Sequence, residues 1–218
     1  MSLCLRGRPR TNCRSFGRSI HLLALAVLLL ISPAAGVGAE EAGPTAVVST
    51  FQDRLLATMK EGRALGFAGR YQRLLPAMED AFDLPQMARI VVGARWAKMS
   101  EAERTQVVDL FREFSVSTYA SEFSDFGGER FETGGEQIQA GLGTIVETRL
   151  ILTDGAPIAL NYLLRQTPAG WRIVDVYLAG TISELARRRD EFASIIRSHG
   201  VDGLIALLRK KNQELAGS

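Results

Sequence analysis

The most chemically suggestive residue in the chain is Asp175, an acid inside the apolar run Ile173-Val174-Asp175-Val176. A carboxyl in that setting has two uses. It can act as a general base towards an apolar substrate, or it can accept hydrogen bonds from backbone amides or a neighbouring arginine. No histidine or second well-placed acid stands near it in sequence, which favours the structural use. Arg187-Arg188-Arg189 form a basic triplet able to dock an anionic group or an acidic partner. Glu184 precedes Arg187 and Arg188 by three and four residues, so the triplet also reads as an ordinary solvated helix face. Arg209-Lys210-Lys211 and His199 fall where helix C-termini favour cations and capping. Trp96 and Trp171 read as structural.

The leader decides what other chemistry is possible. Arg6, Arg8, Arg10, Arg14 and Arg18 precede the apolar stretch from Ile20 to Ile31, and Val37-Gly38-Ala39 supplies a small-x-small site. This pattern predicts a cleaved signal peptide over residues 1–39 and an exported domain over 40–218. A stretch of twelve residues falls short of the ~20 needed to span a bilayer. Cys4, Cys13 and His21 lie in the leader, so the mature chain would keep no cysteine and one histidine, His199. That excludes disulfides, thiol nucleophiles and Cys/His zinc sites, and leaves no histidine but His199 for a serine triad. No metal and no cofactor is expected. The chain has 26 basic and 24 acidic residues; without the five leader arginines, 21 stand against 24, a net of −3. A weakly acidic domain without a long basic run is a poor nucleic-acid binder.

The elements that position these residues can be read from periodicity. Val47, Val48, Phe51, Leu55 and Met59 predict a helix opened by Pro44. A second helix is predicted from about Phe67 to Phe82, with a kink or early break at Pro76. A short helix follows from Leu84 to Val92, capped by Asp83 and stopped by Gly93. Ser100 followed by Glu103 is a capping box. It opens a helix carrying Val107, Leu110, Phe111, Phe114 and Tyr119, reaching about Phe126.

The period then turns to alternation. Strands are predicted near 129–133, 143–153, 157–166 and 171–178, with turns at Gly134-Gly135, Asp154-Gly155 and Pro168-Ala169-Gly170. Such short links make an antiparallel meander. Val146, Thr148, Leu150 and Leu152 share one face of the second strand; Ile158, Leu160, Tyr162 and Leu164 share one face of the third. Two helices close the chain, about Ser183 to Ser198 and Asp202 to Leu215, joined at Gly200. The expectation is an α+β domain: a twisted four-stranded antiparallel sheet covered on one face by about six helices.

The run Trp171-Arg172-Ile173-Val174-Asp175-Val176, then Gly180, Ser183, Arg189, Phe192 and Leu204-Ile205-Ala206-Leu207-Leu208-Arg209-Lys210-Lys211, resembles a bacterial family. Phe82-Asp83, Met87 to Gly93, Trp96 and Ser100 to Arg104 fit the same ordered pattern. It is the periplasmic lipid-binding component of Mla-type, toluene-tolerance transport systems, with the hopanoid-biosynthesis-associated HpnM branch the nearest match. The likeness covers about residues 45 to 212. One departure is Gly180-Thr181-Ile182-Ser183, a residue longer than the Gly-Val-Ser usual after the last strand.

The resemblance implies a fold related to nuclear-transport-factor-2-like domains, with an internal apolar pocket for acyl chains. It implies a monomeric periplasmic carrier without catalytic residues. The ligand would be a phospholipid or a hopanoid, and the partners an inner-membrane transporter complex and an outer-membrane component. A two-tailed lipid has roughly 30 methylenes at about 0.8 kcal/mol each, so roughly 24 kcal/mol holds it in a bilayer and only an enclosed apolar cavity can offset that. Candidate pocket residues are Phe111, Phe114, Tyr119, Val146, Leu150, Leu160, Tyr162, Leu164 and Val174. Arg187, Arg188 and Arg189 are candidates for headgroup or partner contact. Two other readings stay open. One is an enzyme of related fold acting on an apolar small molecule with Asp175 as base, as in steroid-isomerising enzymes. The other is an envelope structural protein whose apolar stripes fill a solid core.

Overall fold

A helix begins at Pro44 because proline, with no N–H to leave unsatisfied, suits the first helical turn. In the computed structural model, which describes residues 42–217, this helix α1 runs Pro44–Lys60. The expected signal peptide, with Cys4, Cys13 and His21, lies outside the described residues.

Helix α2 spans Gly62–Ala81 but breaks at Gly66, whose φ of 61° leaves the helical region. Glycine is the residue that reaches this conformation without steric cost. The break stands at Gly66 and not at Pro76, where the backbone stays helical. Helix α3, Leu84–Val92, is capped by the Asp83 carboxylate, which accepts the Gln86 N–H at 3.0 Å. A 3-10 helix, Gly93–Lys98, leads to α4, Glu101–Glu122. The capping box is complete: Ser100 Oγ accepts the Glu103 N–H, and Glu103 accepts the Ser100 N–H at 2.6 Å. Helix α4 ends at Glu122, a turn before the expected Phe126, and a buried guanidinium meets its end. Arg70 donates to Ala120 O at 2.7 Å and to Gly62 O at 2.8 Å.

The sheet has five strands in the order β1-β2-β3-β4-β5, each antiparallel to its neighbour, where sequence alternation predicts four. They are β1 Arg130–Gln139, β2 Gly143–Ile151, β3 Pro157–Thr167, β4 Gly170–Leu178 and β5 Ile182–Ser183. The fifth is two residues long and too short to show a period. The expected turn at Gly134-Gly135 is instead a register shift inside β1, between Thr133 and Glu136. Glycine inside a strand marks a bulge or a close approach, and a Cβ at Gly134 would stand 3.3 Å from Glu147 O on β2. The chain turns at residues 140–142. At the start of β2, directly after this turn, a Cβ at Gly143 would overlap Leu164 O at 2.1 Å, so β2 and β3 can pair closely only because that residue is glycine.

Helix α5, Glu184–Ala216, carries the Ser183 hydroxyl as its N-cap and a non-helical Gly200, which divides it where two helices are predicted. Counting the halves of α5 apart recovers the expected number of helical pieces; as continuous elements there are five α-helices among the described residues.

The helices meet the sheet through α1, through the α2–α3 corner and through the start of α5. Helix α1 lies against β1, β2 and β4, pinned to β1 where the Thr45 N–H and hydroxyl both donate to Glu136. The α2–α3 corner is tied to β4 by the Asp83 N–H, which donates to Ile173 O at 2.9 Å. Val48, Phe51 and Leu55 of α1, Met78 and Phe82 of α2, Phe111 and Phe114 of α4, and Tyr162, Leu164, Ile173 and Val176 of the sheet belong to one buried cluster.

Candidate functional site

Helix α4 places Phe111, Ser115, Thr118 and Glu122 along one stripe, at spacings of four, three and four residues. This stripe walls a cavity of about 180 Å³, which is over ten times the ~10–15 Å³ that admits one water molecule. Met78 and Phe82 of α2 and Leu84 and Met87 at the start of α3 form further wall. Leu160 of β3 with Asp175, Val176 and Leu178 of β4 form the sheet side, and Glu184, Leu185, Arg187 and Arg188 of α5 close it.

The lining is less polar than its composition suggests. Ser115 donates to Phe111 O and Thr118 to Phe114 O, both at 2.8 Å, so both hydroxyls are spent on the preceding helical turn. Four rings cluster at one side: Tyr119 lies 5.5 Å from Phe51, 6.0 Å from Phe82 and 5.4 Å from Phe123, centroid to centroid. Burial holds the Tyr119 hydroxyl well above the usual phenol range, so it stays neutral.

Charge gathers where β4, β5 and α5 meet α4. Arg187 grips Glu184 with two hydrogen bonds, at 3.1 and 2.6 Å. Arg188 sits 4.7 Å from the Phe114 ring centroid and 3.3 Å from Glu191. Lys211 reaches the same Glu191 at 2.9 Å and the same ring at 6.0 Å, so the wall aromatic Phe114 is fixed by two cations and one acid. Burial raises the Glu122 carboxyl above its ordinary range and Glu184 adds to this, while Arg188 and Arg187 oppose it.

Asp175 borders the cavity, 7% exposed, with both oxygens committed to the fold. One accepts the Val176 N–H at 2.8 Å and the Leu185 N–H at 3.1 Å; the other accepts the Ser183 hydroxyl at 2.5 Å. Burial pushes its carboxyl up, and these three donors oppose the shift. The arrangement is that of an acceptor holding β4, β5 and α5 together. Among the described residues no group of three His, Cys, Asp or Glu side chains could hold a metal ion.

The residues expected at the pocket divide into two sets. Phe111, Phe114, Tyr119 and Leu160 line the cavity, and so do Arg187 and Arg188. Val146, Leu150, Tyr162, Leu164 and Val174 do not. Val146, Tyr162 and Leu164 are fully buried in solid core, because α1 covers that part of the sheet and brings Phe51 to 6.4 Å from the Tyr162 ring. Leu150, near the end of β2, is buried outside the main cluster. Val174 is displaced by a bulge: Leu163 pairs with Asp175 and Leu164 with Ile173, leaving Val174 as the extra residue. Ile173 and Val176 take the core-facing places in its stead. Arg189 points elsewhere, its guanidinium near Gly93. Sequence reasoning missed Glu122, Ser115, Thr118, Met87 and Leu178; the helical spacing from Phe111 to Glu122 was the signal for the first three.

Residues 49–210 match the family described as MlaC protein. The chain belongs to the MlaC family. The fold agrees: a phospholipid-binding protein from Ralstonia solanacearum, solved in complex with a phospholipid, superposes with a TM-score of 0.71. The two are 24% identical over 81% of this chain and 99% of the other, so this MlaC-family chain spans essentially the whole of that structure.

Proposed function

We propose that the chain is a non-enzymatic carrier that takes the acyl tails of a phospholipid into the α4-walled cavity and shuttles the lipid through the periplasm. The observation that carries this reading is an apolar cavity, its hydroxyls turned back on their own helix and its charges gathered at one side, in a chain of the MlaC family. Apolar walls bury tails that would otherwise meet water, and charged residues at one side suit a headgroup left outside. The Ralstonia relative of like fold holds a phospholipid, which supports the same ligand class here.

In this reading Phe111, Phe114, Tyr119 and Leu160 contact the tails, and Arg187 and Arg188 face the headgroup or a partner. Residues 1–39 are the cleaved export signal, and 40–218 the single working domain. The exchange partners are an inner-membrane transporter complex and an outer-membrane component, with the chain itself a monomer. Among the described residues no helix is long and apolar enough to cross a membrane. The relation to nuclear-transport-factor-2-like domains, and hopanoids as alternative ligands in the manner of the HpnM branch, belong to the same reading. Asp175, with both oxygens engaged in fold contacts, serves in this reading as a structural acceptor and not as a base.

Native mass spectrometry of the protein purified without detergent tests the proposal. A bound mass that extracts into organic solvent as phospholipid or hopanoid supports it. A spectrum free of lipid, unchanged after incubation with phospholipid vesicles, contradicts it.

A further inference from the structure

One end of the sheet differs from the rest of the surface. Neighbouring strands run in opposite directions, so the turn at 140–142 and the turn at 168–169 stand at the same end. No charged residue occurs from 137 to 146, and Arg165 and Arg172 are the only ones from 155 to 174. These two are Cα partners across β3 and β4, and so lie on one face. Like charges placed directly opposite destabilise a sheet. Among the described residues neither guanidinium has an ion pair within 4 Å. The acids closest along the strands are already held: Glu136 by Thr45, Glu147 by Gln137, and Asp175 by Ser183, Val176 and Leu185. On the helical corner beside β4, Asp80 is held by Arg54 and Asp83 by the Gln86 N–H. At the opposite end of the sheet the cations are answered, since Arg130 and Arg149 share Glu132.

The same end holds apolar side chains out in water. Ile138 is 86% exposed and Leu142 52%, one on each side of the β1–β2 turn. A lone exposed leucine is ordinary. These two are coupled to the charge through the backbone. Gly143 has no side chain, so the Arg165 stem can cross β2, where a Cβ would stand 3.3 Å from its Cγ. Its Nε then donates to Leu142 O at 2.8 Å. That engages one of five guanidinium donors, and Arg172 commits one of its own to Trp171 O. An apolar turn and two unanswered cations are thereby held side by side. The lipid cavity lies elsewhere: its sheet residue Leu160 precedes Arg165 by five positions on β3, roughly 16 Å.

We propose that this end of the sheet is a membrane-contact site, where Ile138 and Leu142 enter the interfacial layer of a bilayer and Arg165 and Arg172 bind the phosphates of anionic lipids. Apolar burial and attraction to anionic headgroups act together at such a surface. Guanidinium forks match phosphate oxygens. A bilayer fits this end better than a protein does. A stable protein interface uses about 20–30 residues a side, more than two tight turns and an arginine pair supply. Contact here leaves the cavity uncovered.

Partitioning onto sucrose-loaded vesicles tests the proposal, using the full protein purified without detergent. The vesicles are phosphatidylcholine alone, or phosphatidylcholine and phosphatidylglycerol in equal parts, at low salt. Each arginine near an anionic surface is worth about five-fold in binding, so the wild type should favour the mixed vesicles by about 25-fold. Arg165→Gln with Arg172→Gln should abolish that preference. Arg149→Gln, which removes an exposed cation at the opposite end, should keep it. Ile138→Ser with Leu142→Ser should lower partitioning onto both vesicle types several-fold. None of these side chains is buried, so every variant should keep the wild-type circular dichroism spectrum. Equal partitioning of the wild type onto both vesicle types overturns the proposal. So does a preference that falls as far in Arg149→Gln as in the double arginine variant. Absence from both vesicle types also overturns it, and leaves an acidic protein as the occupant of this end. Each of these failures leaves the carrier reading intact, because none of the altered residues lines the cavity.

Discussion

The Ser183 hydroxyl donates to the Asp175 carboxylate at 2.5 Å and accepts the Ala186 N–H at 2.9 Å, so one serine joins β4 to the first turn of α5. The Leu185 N–H reaches the same carboxylate, so two N–H groups at the α5 terminus are satisfied through this pair. The consequence is geometric: α5 starts where Glu184, Leu185, Arg187 and Arg188 face the cavity. Asp175→Ala should therefore lower unfolding free energy by roughly 2–4 kcal/mol, as expected when a buried acceptor is removed from its donors. Urea denaturation checks it, and a change under 1 kcal/mol would show that the α5 start is held by other means.

Asp175 also makes a pH prediction. Burial raises its folded-state pKa above the unfolded value of about 3.9. The folded chain then holds the proton more tightly than the unfolded one, so this group's favourable contribution is complete below the unfolded pKa. It is lost as pH rises through the folded pKa. Stability of the wild type minus that of Asp175→Asn should fall as pH is raised from 3 through that window, then level off. The difference isolates Asp175 from Glu61, Glu103 and Asp125, which are shifted downwards and act in the opposite sense. A difference that rises with pH would contradict the account.

Arg70 is a buried cation that donates to two carbonyls, Gly62 O and Ala120 O, so it serves as a cap for the end of α4. Arg70→Met keeps the stem but orphans both oxygens. The expected loss is about 2 kcal/mol by thermal or urea denaturation. Its effect should appear in hydrogen exchange as faster opening of the last turn of α4, where Tyr119 and Glu122 sit.

Much of the frame was legible in the sequence. Helical stripes, the Ser100–Glu103 box and the glycines at 93 and 200 mark helix starts and ends by local chemistry, which a sequence displays directly. The sheet was legible wherever alternation is unbroken, as along β2. It was not at Gly134-Gly135 or Val174, because a bulge shifts the phase of every later residue without altering composition. The cavity was legible only in part. Alternation shows that Leu160, Tyr162 and Leu164 face inwards, but not that α1 fills the space above two of them and leaves Leu160 bordering a void. That is settled by residues more than a hundred positions away.

The division between void and solid core can be measured. Leu164→Ala removes packed atoms and should cost roughly 3 kcal/mol while lipid loading persists. Leu160→Trp adds bulk to a space already open, so stability should change by less than about 1 kcal/mol where overfilling a solid core costs roughly 1–3. Lipid recovered with Leu160→Trp should fall several-fold. Loading that is unaffected in Leu160→Trp but lost in Leu164→Ala would place the ligand elsewhere.

The central claim is that acyl tails lie in the space between α2, α3, α4, β3, β4 and the start of α5. It is tested most directly by a phospholipid carrying a photoreactive diazirine on its acyl tail, loaded onto the purified protein, irradiated and mapped by peptide mass spectrometry. The account predicts adducts on Met78, Met87, Phe111, Phe114 or Tyr119, and none on Val146 or Leu164. Adducts confined to outer surfaces of the sheet or helices, with the cavity residues unlabelled, would contradict it.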